Sequence, residues 1–343
     1  SDLGILPEAS DPQPSRSVTV DTMIGTDQLI VGGEQHLECF ERIVGQAEED
    51  VFVLSTFVTP HGEKYTEQHE RIRKALEQAA QRGVRCHLFY GTALDTDRKN
   101  AIAMQELNMR LSSVRRARGF VFTQRDSVRS HVKCLAADDG HGGAVVVLGS
   151  SNWLSSPFSA LEVSVELTEN RAAAAGLDLL RSIVSPLSSA SRSIETLQFI
   201  ASDLRRSRSA LTSSADAGGS IPVRMSILQA DDHERLIRRV AHEAEERFVC
   251  CTNKVGAPMV PAIFNPAEIA GRRLDDVRVY YSRQTGPIKR RHVKAHRERL
   301  HGVVDLIAVE DPQVHAKFLL WDRDHVVVST MNWGSQSGSP DNP

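Results

Sequence analysis

Two histidine–lysine pairs are the residues of this sequence best suited to chemistry. His131 and Lys133 form the first pair, and His315 and Lys317 form the second. One residue separates the members of each pair, and in an extended strand this spacing puts both side chains on one face. A phosphodiester that reaches both pairs meets two imidazoles and two ammonium groups, which suit the added negative charge of a pentacovalent phosphorus. One neutral imidazole can attack phosphorus while the other, protonated, donates to the leaving oxygen.

Further polar residues follow each pair. Asp138 and the run Gly149-Ser150-Ser151-Asn152 come after the first pair, and Asp322 and the run Ser329-Thr330-Met331-Asn332 come after the second. These downstream residues carry the signal, because a histidine and a lysine two positions apart also occur by chance. A third pair, His292-Val-Lys294, lies in a basic segment without the matching Asp and Asn. We interpret it as part of a basic helix.

The two sets of residues resemble the HxK(x)4D(x)6GSxN signature of the phospholipase D superfamily, present in two copies. The resemblance implies a duplicated α/β/α fold with two mixed or parallel sheets, related by a pseudo-twofold axis that brings both motifs to one active site. It also implies phosphodiester cleavage through a covalent phosphohistidine, without a metal or another cofactor. The N-terminal histidine is usually the nucleophile in such proteins, so His131 is expected to attack and His315 to act as the acid. The implied catalytic residues are His131, Lys133, Asn152, His315, Lys317 and Asn332, with Asp138, Ser150, Glu162, Asp322 and Thr330 in support.

The sequence departs from this signature in several places. Ten residues separate Asp138 from the glycine of the first motif, and we expect the excess to form the tip of a hairpin. Ser329 stands where the signature has a glycine, which tolerates more backbone strain. The resemblance also implies a carboxylate after the Asn that orients a histidine. Glu162 fits this position in the first half, with Glu166 as an alternative, whereas the second half offers only Asp341.

The two halves of the chain also resemble each other outside the motifs. Residues 47–57 are similar to 244–254, and residues 72–91 are similar to 269–282, in the same order as the motifs. Both halves alternate apolar runs of strand length with amphipathic helical patterns, which predicts an α/β architecture with a largely parallel sheet in each half. Residues 169–208 show a helical pattern. Ordered similarities of this kind favour duplication over two unrelated domains.

These patterns divide the chain into four parts. Prolines mark a loose beginning, and a segment rich in Ser, Gly and Ala marks a linker. We therefore predict a flexible lead-in (1–20), an N-terminal half with the first motif (21–208), the linker (209–220) and a C-terminal half with the second motif (221–343). Because the chain ends soon after the second Asn, we expect the C-terminal half to be truncated.

The distribution of charge points to a polyanionic substrate. The formal net charge of −3 argues against a uniformly basic protein, but a summed charge hides local basic surfaces. Two blocks rich in Arg and Lys, residues 110–129 and 283–301, each directly precede a histidine–lysine pair. Such blocks suit a ligand held at several phosphates, although basic runs are often only solvated helix faces. The candidate nucleic-acid-binding residues are Arg115, Arg116, Arg118, Arg129, Lys289, Arg290, Arg291 and Lys294.

The remaining features narrow the class of protein. No apolar run reaches the roughly 18 residues that cross a bilayer, and the five cysteines form no CxxC pair. We therefore predict a cytoplasmic hydrolase that does not bind membranes: a metal-independent endonuclease that cleaves DNA in preference to RNA, within a larger DNA-processing or defence protein with further domains or partner subunits. Two alternatives stay open, a phospholipase D or phosphatidyltransferase that acts on lipid headgroups, and a non-catalytic nucleic-acid-binding module. Trp153 and Trp333, which directly follow the two asparagines, are expected to pack on the sheet rather than to stack on bases.

Overall fold

A computed structural model describes residues 18–62, 66–91, 97–114, 121–124, 126–207 and 220–334 of the chain. The α-helices of these residues are α1 (Gly33–Gln46), α2 (Glu67–Arg82), α3 (Asp97–Ser112), α4 (Asn170–Val184), α5 (Ser191–Arg206), α6 (Ala230–Glu243), α7 (Asn265–Gly271) and α8 (Arg290–Leu300). The strands are β1 (Val18–Ile24), β2 (Leu29–Val31), β3 (Asp50–Ser55), β4 (Arg85–Tyr90), β5 (Val121–Thr123), β6 (Cys134–Asp138), β7 (Ala144–Gly149), β8 (Val163–Leu167), β9 (Ile221–Ile227), β10 (Arg247–Val255), β11 (Asp276–Gln284), β12 (Asp305–Ala308), β13 (Phe318–Trp321) and β14 (His325–Val328).

The first half is built on a seven-stranded sheet with helices on both faces. Its strand order is β2-β8-β7-β6-β3-β4-β5. Strand β3 lies inside this sheet and is buried along its whole length, which agrees with the apolar run of residues 51–54 at its centre. Val51 and Val53 pack beneath α1, α2 and α3, whereas Phe52 and Leu54 face the side of α4 and α5. The period of two along a strand therefore supplies both apolar faces of the layered structure.

The second half is built on a five-stranded sheet with the order β12-β11-β10-β13-β14. Helices α6, α7 and α8 pack against it and form the largest apolar cluster of this half. A smaller cluster lies where the two halves meet, and there Val163 of the first half contacts Cys251, Val314 and Ala316 of the second. The two sheets are thus joined through apolar contacts next to the segment that contains the second histidine–lysine pair.

The predicted duplicated α/β/α fold is confirmed, but the sheets are mixed rather than largely parallel. In the first sheet β3, β4 and β5 are parallel, whereas β6 and β7 form an antiparallel hairpin. In the second sheet β10, β11 and β12 are parallel, and β13 and β14 form the corresponding hairpin. The chain between the strands of each hairpin is far shorter than the dozen or so residues that a parallel crossover needs. Each motif spans one of these hairpins, so it introduces antiparallel pairing into its sheet.

A strand pair that the sequence did not predict also links the two halves. Strand β1 pairs with β9 in antiparallel register, from Val18 opposite Ile227 to Ile24 opposite Ile221. The strand β1 begins inside the lead-in predicted for residues 1–20, so Val18 to Val20 are extended and paired. Of the predicted linker, only Ser220 lies among the described residues.

Predictions about the helical segment, the cysteines and membrane-spanning helices can also be compared with the described residues. Helices α4 and α5 occupy most of the segment predicted to be helical between the halves. All five cysteines are buried and free. Across the described ranges, no helix combines the length and the hydropathy needed to span a bilayer.

Candidate active site

The two histidine–lysine pairs lie at equivalent places, in the extended segments directly before the first strand of each hairpin. The first pair precedes β6, which pairs with β3, and the second precedes β13, which pairs with β10. The second segment also hydrogen-bonds with the first half, because the His315 amide donates to the Leu161 carbonyl and the Leu161 amide donates to the Gln313 carbonyl, both at 2.9 Å. This pairing brings the two motifs together at one place in the molecule.

The first histidine is held by a backbone carbonyl of the opposite motif. Nδ1 of His131 lies 2.8 Å from the carbonyl oxygen of Thr330. A neutral imidazole that donates from Nδ1 to this carbonyl leaves Nε2 unprotonated. The fully buried Lys133 donates from Nζ to the Thr56 hydroxyl at 2.7 Å and to the His131 carbonyl at 2.6 Å. The predicted supporting residue Thr330 thus contacts the first histidine through its backbone carbonyl.

The second histidine is held by a buried carboxylate of the opposite half. Nδ1 of His315 lies 2.9 Å from each carboxylate oxygen of Glu162, whose side chain is only 2% exposed. The Ser150 hydroxyl donates to Glu162 and also accepts the Val163 amide at 2.9 Å. Lys317 donates from Nζ to the carbonyl of His315. Ser150 of the first motif therefore positions Glu162, which in turn positions the histidine of the second motif.

Burial and mutual repulsion set the protonation of these groups. Burial, and next the charges of Lys133 and Lys317, lower the pKa of His131 well below its usual value. Burial, then Lys317, lowers the pKa of His315 to about 4, although Glu162 opposes the shift. Burial lowers the pKa of Lys317 to about 7, and burial followed by Lys317 lowers the pKa of Lys133 well below its usual value.

The one carboxylate among these groups stays charged. Burial alone would raise the pKa of Glu162, but the charge and hydrogen bond of His315, together with Lys317 and Ser150, hold it at about 2. Four basic side chains thus surround a single acid. Each would hold its proton more readily with another anion present, which is the electrostatic condition for binding a phosphate group.

The two motif asparagines are buried next to these groups. Asn152 follows β7, and Asn332 follows β14 two residues after Thr330, whose carbonyl contacts His131. Among the residues described, the amide oxygen of Asn152 and the hydroxyl of Ser151 have no hydrogen-bond partner. Buried polar atoms are normally paired, so these two are available to a ligand or to ordered water.

A pair of buried helix histidines, which sequence reasoning missed, accounts for the serine in the second motif. His36 on α1 and His233 on α6 are related by the same offset as residues 47–57 and 244–254. Nε2 of His36 lies 2.8 Å from the Ser164 hydroxyl, and Nε2 of His233 lies 2.9 Å from the Ser329 hydroxyl. A Cβ atom at Gly149 would come within 2.1 Å of Ser164. The first half therefore needs glycine there, whereas Ser329 itself supplies the hydroxyl in the second half.

The two tryptophans after the asparagines pack against these histidines. Trp153 is 1% exposed with its ring centroid 5.7 Å from that of His36, and Trp333 is 6% exposed and 4.9 Å from His233. Packing on the sheet, rather than stacking on bases, is therefore the interpretation that the structure favours.

The motif aspartates lie at the far ends of the strands, away from the histidines. Asp138 accepts the backbone amides of residues 48, 49 and 50 at 2.8 to 3.0 Å. Asp322 accepts the amides of Glu245 and Glu246 at 2.9 and 2.8 Å. Each aspartate thus caps the loop that leads into the neighbouring strand of its own sheet. The two aspartates therefore stabilise the fold and do not contact the histidine–lysine pairs.

The predicted basic blocks are only partly placed near the motifs. Arg115, Arg116 and Arg118 lie outside the described residues. Arg129, two residues before His131, is exposed and lines a cleft of about 670 Å³ together with Arg98. Arg110 of the same block is instead paired with Glu70 and Glu77 of α2.

The second block lies at the start of α8, on the surface. Its candidate residues Lys289, Arg290, Arg291 and Lys294 are all exposed. Arg290 forms an ion pair with Glu310 at 2.8 Å, and Lys294 lies 3.9 Å from Glu298. The pair His292 and Lys294 lies in this helix, which agrees with its interpretation as part of a basic helix. These side chains form a solvated surface whose charge is partly neutralised.

Two other cations lie closer to the site: Lys254, which the sequence analysis did not single out, and Arg283, the first residue of the second basic block. Lys254 ends the repeated segment 244–254 on β10, and Arg283 is its Cα partner on β11. Burial is the main reason that the pKa values of Lys133 and Lys317 are low, and the charge of Lys254 lowers both further. The only sequence signal for Lys254 is the contrast with Phe57, which holds the equivalent position of the first half.

Comparison with protein families supports the relationship suggested by the motifs. A family model described as "Cardiolipin synthase, PLD-like domain" matches residues 42–176, a segment that contains the whole first motif. No curated protein matches the chain.

Several solved structures are similar to this chain at low sequence identity. The phosphatidylserine synthase of Haemophilus influenzae Rd KW20 is similar with a TM-score of 0.53 and 11% identity, over 88% of this chain and 77% of that one. A polyphosphate kinase from Porphyromonas gingivalis has a TM-score of 0.46 and 10% identity over 92% of this chain, which spans 46% of the length of the kinase. Nuc from Salmonella typhimurium, a phospholipase D family member, has a TM-score of 0.33 and 14% identity over 48% of this chain and 93% of its own.

The family model, the shared fold and the doubled motif agree. The family model covers residues 42–176, which lie in the first half and include its motif. The similarity to the phosphatidylserine synthase extends over both halves. Residues 42–176 carry a PLD-like, phosphodiester-acting domain, and the fold and the second motif of the chain are similar to those of the phospholipase D superfamily.

Proposed function

We propose that this protein is a nuclease that hydrolyses phosphodiester bonds of DNA through a phosphohistidine on His131. The observation that carries the choice of substrate is the surplus of cations around the site. One phosphodiester needs no more than Lys133 and Lys317, yet the charge of Lys254 also acts on both lysines. Arg129, two residues before His131, lines a cleft together with Arg98 and Asp126. Basic side chains beside a phosphodiester site favour a ligand with many phosphates.

The contrast between the two histidine environments supports the assignment of their roles. The acceptor for His131 is the neutral Thr330 carbonyl, which favours a neutral imidazole whose Nε2 carries no proton, as a nucleophile requires. The acceptor for His315 is the charged Glu162, which opposes the lowering of the His315 pKa. Together with the charge of a bound phosphodiester, it favours the imidazolium that a general acid requires. His131 is therefore the proposed nucleophile and His315 the proposed acid.

The proposed reaction has two steps. Nε2 of His131 forms a bond to phosphorus, the bond to the leaving oxygen breaks, and His315 gives its proton to that oxygen. Water then attacks the phosphohistidine, His315 takes the proton of the water, and the bond to His131 breaks. Lys133, Lys317 and the two motif asparagines donate to the phosphoryl oxygens and stabilise the charge that develops on them.

DNA is the proposed substrate, and the mechanism is compatible with it because the enzyme supplies its own nucleophile. A histidine that attacks phosphorus makes a neighbouring 2′-hydroxyl unnecessary for cleavage. A site of this design accepts the deoxyribose backbone without loss of mechanism.

The test is cleavage of labelled single- and double-stranded DNA, RNA and phosphatidylcholine vesicles in the presence of EDTA. We expect DNA to be cut, and the His131→Ala and His315→Ala variants to lose at least about 100-fold in rate. A phosphohistidine should be trapped in His315→Ala and be absent in His131→Ala. Release of lipid headgroup with intact nucleic acids would contradict the nuclease proposal and favour a lipid-directed enzyme. DNA binding without cleavage of any diester would favour a non-catalytic binding module.

A further inference from the structure

We propose that Lys254 and Arg283 form a second phosphate-binding subsite, next to the scissile phosphate and on the side of the second half. The subsite would take a substrate that carries two successive phosphates, as a polynucleotide does. This inference rests on the proposed nuclease function and specifies how the substrate lies in the site.

The sheet register places the two cations side by side. Strands β10 and β11 are parallel, and Lys254 and Arg283 are directly opposite each other near the carboxyl ends of both strands. Neighbouring strands lie about 4.8 Å apart, and opposite residues project to the same face. Their charged ends can therefore reach one anion together. The Oγ1 hydroxyl of Thr252 donates to the Lys254 carbonyl at 3.1 Å, which fixes the backbone at this point.

Among the described residues, no carboxylate is paired with either of these two cations. Lys254 is half-buried and Arg283 is exposed. Burial and the nearby Arg283 lower the pKa of Lys254. A partly buried cation beside a second cation and close to Lys317 is unfavourable unless an anion joins them. A phosphate group would supply that charge.

The subsite exists on one side only. Residues 47–57 and 244–254 correspond with a constant offset, and the same local bonds confirm it, because the Ser55 hydroxyl donates to the Phe57 carbonyl as the Thr252 hydroxyl does to the Lys254 carbonyl. The half-buried Phe57 thus takes the place of Lys254 in the first half. The substrate backbone therefore binds in one direction. The scissile phosphate lies between the halves, and the neighbouring phosphate lies toward the second half.

The experiment compares ligands with one and with two phosphates. Calorimetric titrations would use thymidine 3′-monophosphate, thymidine 5′-monophosphate and thymidine 3′,5′-bisphosphate, whose phosphates are one nucleotide apart. We expect the protein to bind the bisphosphate at least about 10-fold more tightly than the better monophosphate, which corresponds to about 1.4 kcal/mol. The variant Lys254→Met/Arg283→Ala should reduce this preference to below about threefold, and Lys254→Arg should retain it.

Two controls make the result specific. The variant Lys74→Met/Arg171→Ala removes the same charges from exposed positions of α2 and α4 and should keep the full preference. Arg283→Ala alone changes an exposed side chain, so a loss of preference in this variant cannot be attributed to unfolding. Equal affinity for one and two phosphates in the unmodified protein, or an unchanged preference in the double variant, would refute the subsite. Because the titrations require no cleavage, failure of the nuclease proposal would appear separately, as intact DNA with the preference preserved.

Discussion

At the scale of single residues, the site is defined by what each histidine faces. The two motifs supply the same residue types, yet His131 meets a neutral carbonyl and His315 meets a buried carboxylate. This difference separates the roles of two otherwise similar imidazoles. It arises because Glu162 reaches across to the histidine of the other half rather than to its own.

Replacing Glu162 tests this difference. Glu162→Gln keeps the shape of the side chain but removes the charge that raises the pKa of His315. The imidazolium becomes less stable, so the alkaline limb of the pH–rate profile should move to lower pH, and kcat at neutral pH should fall by about 10- to 1,000-fold. Glu166→Gln is the matched control, because Glu166 pairs with Arg42 and lies outside the site. An unshifted alkaline limb in Glu162→Gln would contradict the proposed role of Glu162.

Lys317 links the site to the pH dependence of stability. Its pKa is about 7 in the folded protein and near 10.5 when unfolded, because burial and neighbouring cations disfavour its charge. Between these two values the unfolded state binds more protons, so this group makes the free energy of unfolding rise with pH from about 7 to 10.5. Lys317→Met removes this contribution, and should be more stable than the unmodified protein by about 1–4 kcal/mol at pH 7, with the difference vanishing toward pH 10.5.

Urea unfolding of both proteins at several pH values between 6 and 10.5 measures the difference. Lys74→Met, at an exposed position of α2, serves as the control and should leave the stability unchanged throughout. A Lys317→Met variant less stable than the unmodified protein at pH 7 would show that the buried ammonium contributes net stability.

At the scale of elements, the hairpins β6–β7 and β13–β14 carry the motifs and hold them in place. Each hairpin begins at a histidine–lysine pair and ends near a motif asparagine, with the aspartate at the opposite end. Asp138 and Asp322 fasten these hairpins to the loops that enter β3 and β10. The spacing of the motif is therefore set by strand length as much as by the chemistry.

Asp138→Ala tests the assignment of the aspartate to the fold. The substitution leaves four backbone amides, those of residues 48, 49, 50 and 140, without their acceptor and should lower the free energy of unfolding by about 1–3 kcal/mol. The value of kcat on DNA should stay within about threefold, because the histidines are at the other end of the strand. Asp139→Ala is the matched control within the hairpin tip, where Asp139 accepts only the His141 and Gly143 amides. A loss of activity in Asp138→Ala without a loss of stability would place Asp138 in the catalytic machinery.

At the scale of the whole molecule, the cations of the site matter more than the total charge. The net charge of −3 gives little long-range attraction for DNA, so binding depends on a few local contacts. Each phosphate neutralised by a cation adds about −0.7 to −0.9 to the slope of log affinity against log salt concentration. We expect a slope between about −2 and −4 for DNA binding by the inactive His131→Asn variant.

The variant that lacks Lys254 and Arg283 should have a slope smaller in magnitude by about 1, since it loses one phosphate contact. Fluorescence anisotropy of a labelled oligonucleotide between 50 and 300 mM salt, roughly the range over which such slopes are measured, provides the test. The Lys74→Met/Arg171→Ala control should leave the slope unchanged. An unaltered slope in the subsite variant would mean that its cations contact no phosphate of bound DNA.

Much of this protein could be predicted from local sequence. The alternation of apolar runs and amphipathic patterns predicts the α/β class, and the ordered similarities between the halves predict the duplication. The spacing of each histidine–lysine pair is also a local property, because an extended segment places alternate residues on one face whatever the rest of the chain does.

Contacts between distant segments depended on the tertiary structure. That Glu162 holds His315, that Thr330 faces His131 and that Lys254 lies beside Arg283 all follow from how the two sheets pack and from the register of their strands. The direction of the β6–β7 and β13–β14 hairpins, and hence the mixed sheets, also required it. Residue types and spacing along one strand thus determined which chemistry the chain carries. Long-range packing alone decided which histidine receives a charged partner, because no local pattern records the distance between residues of different halves.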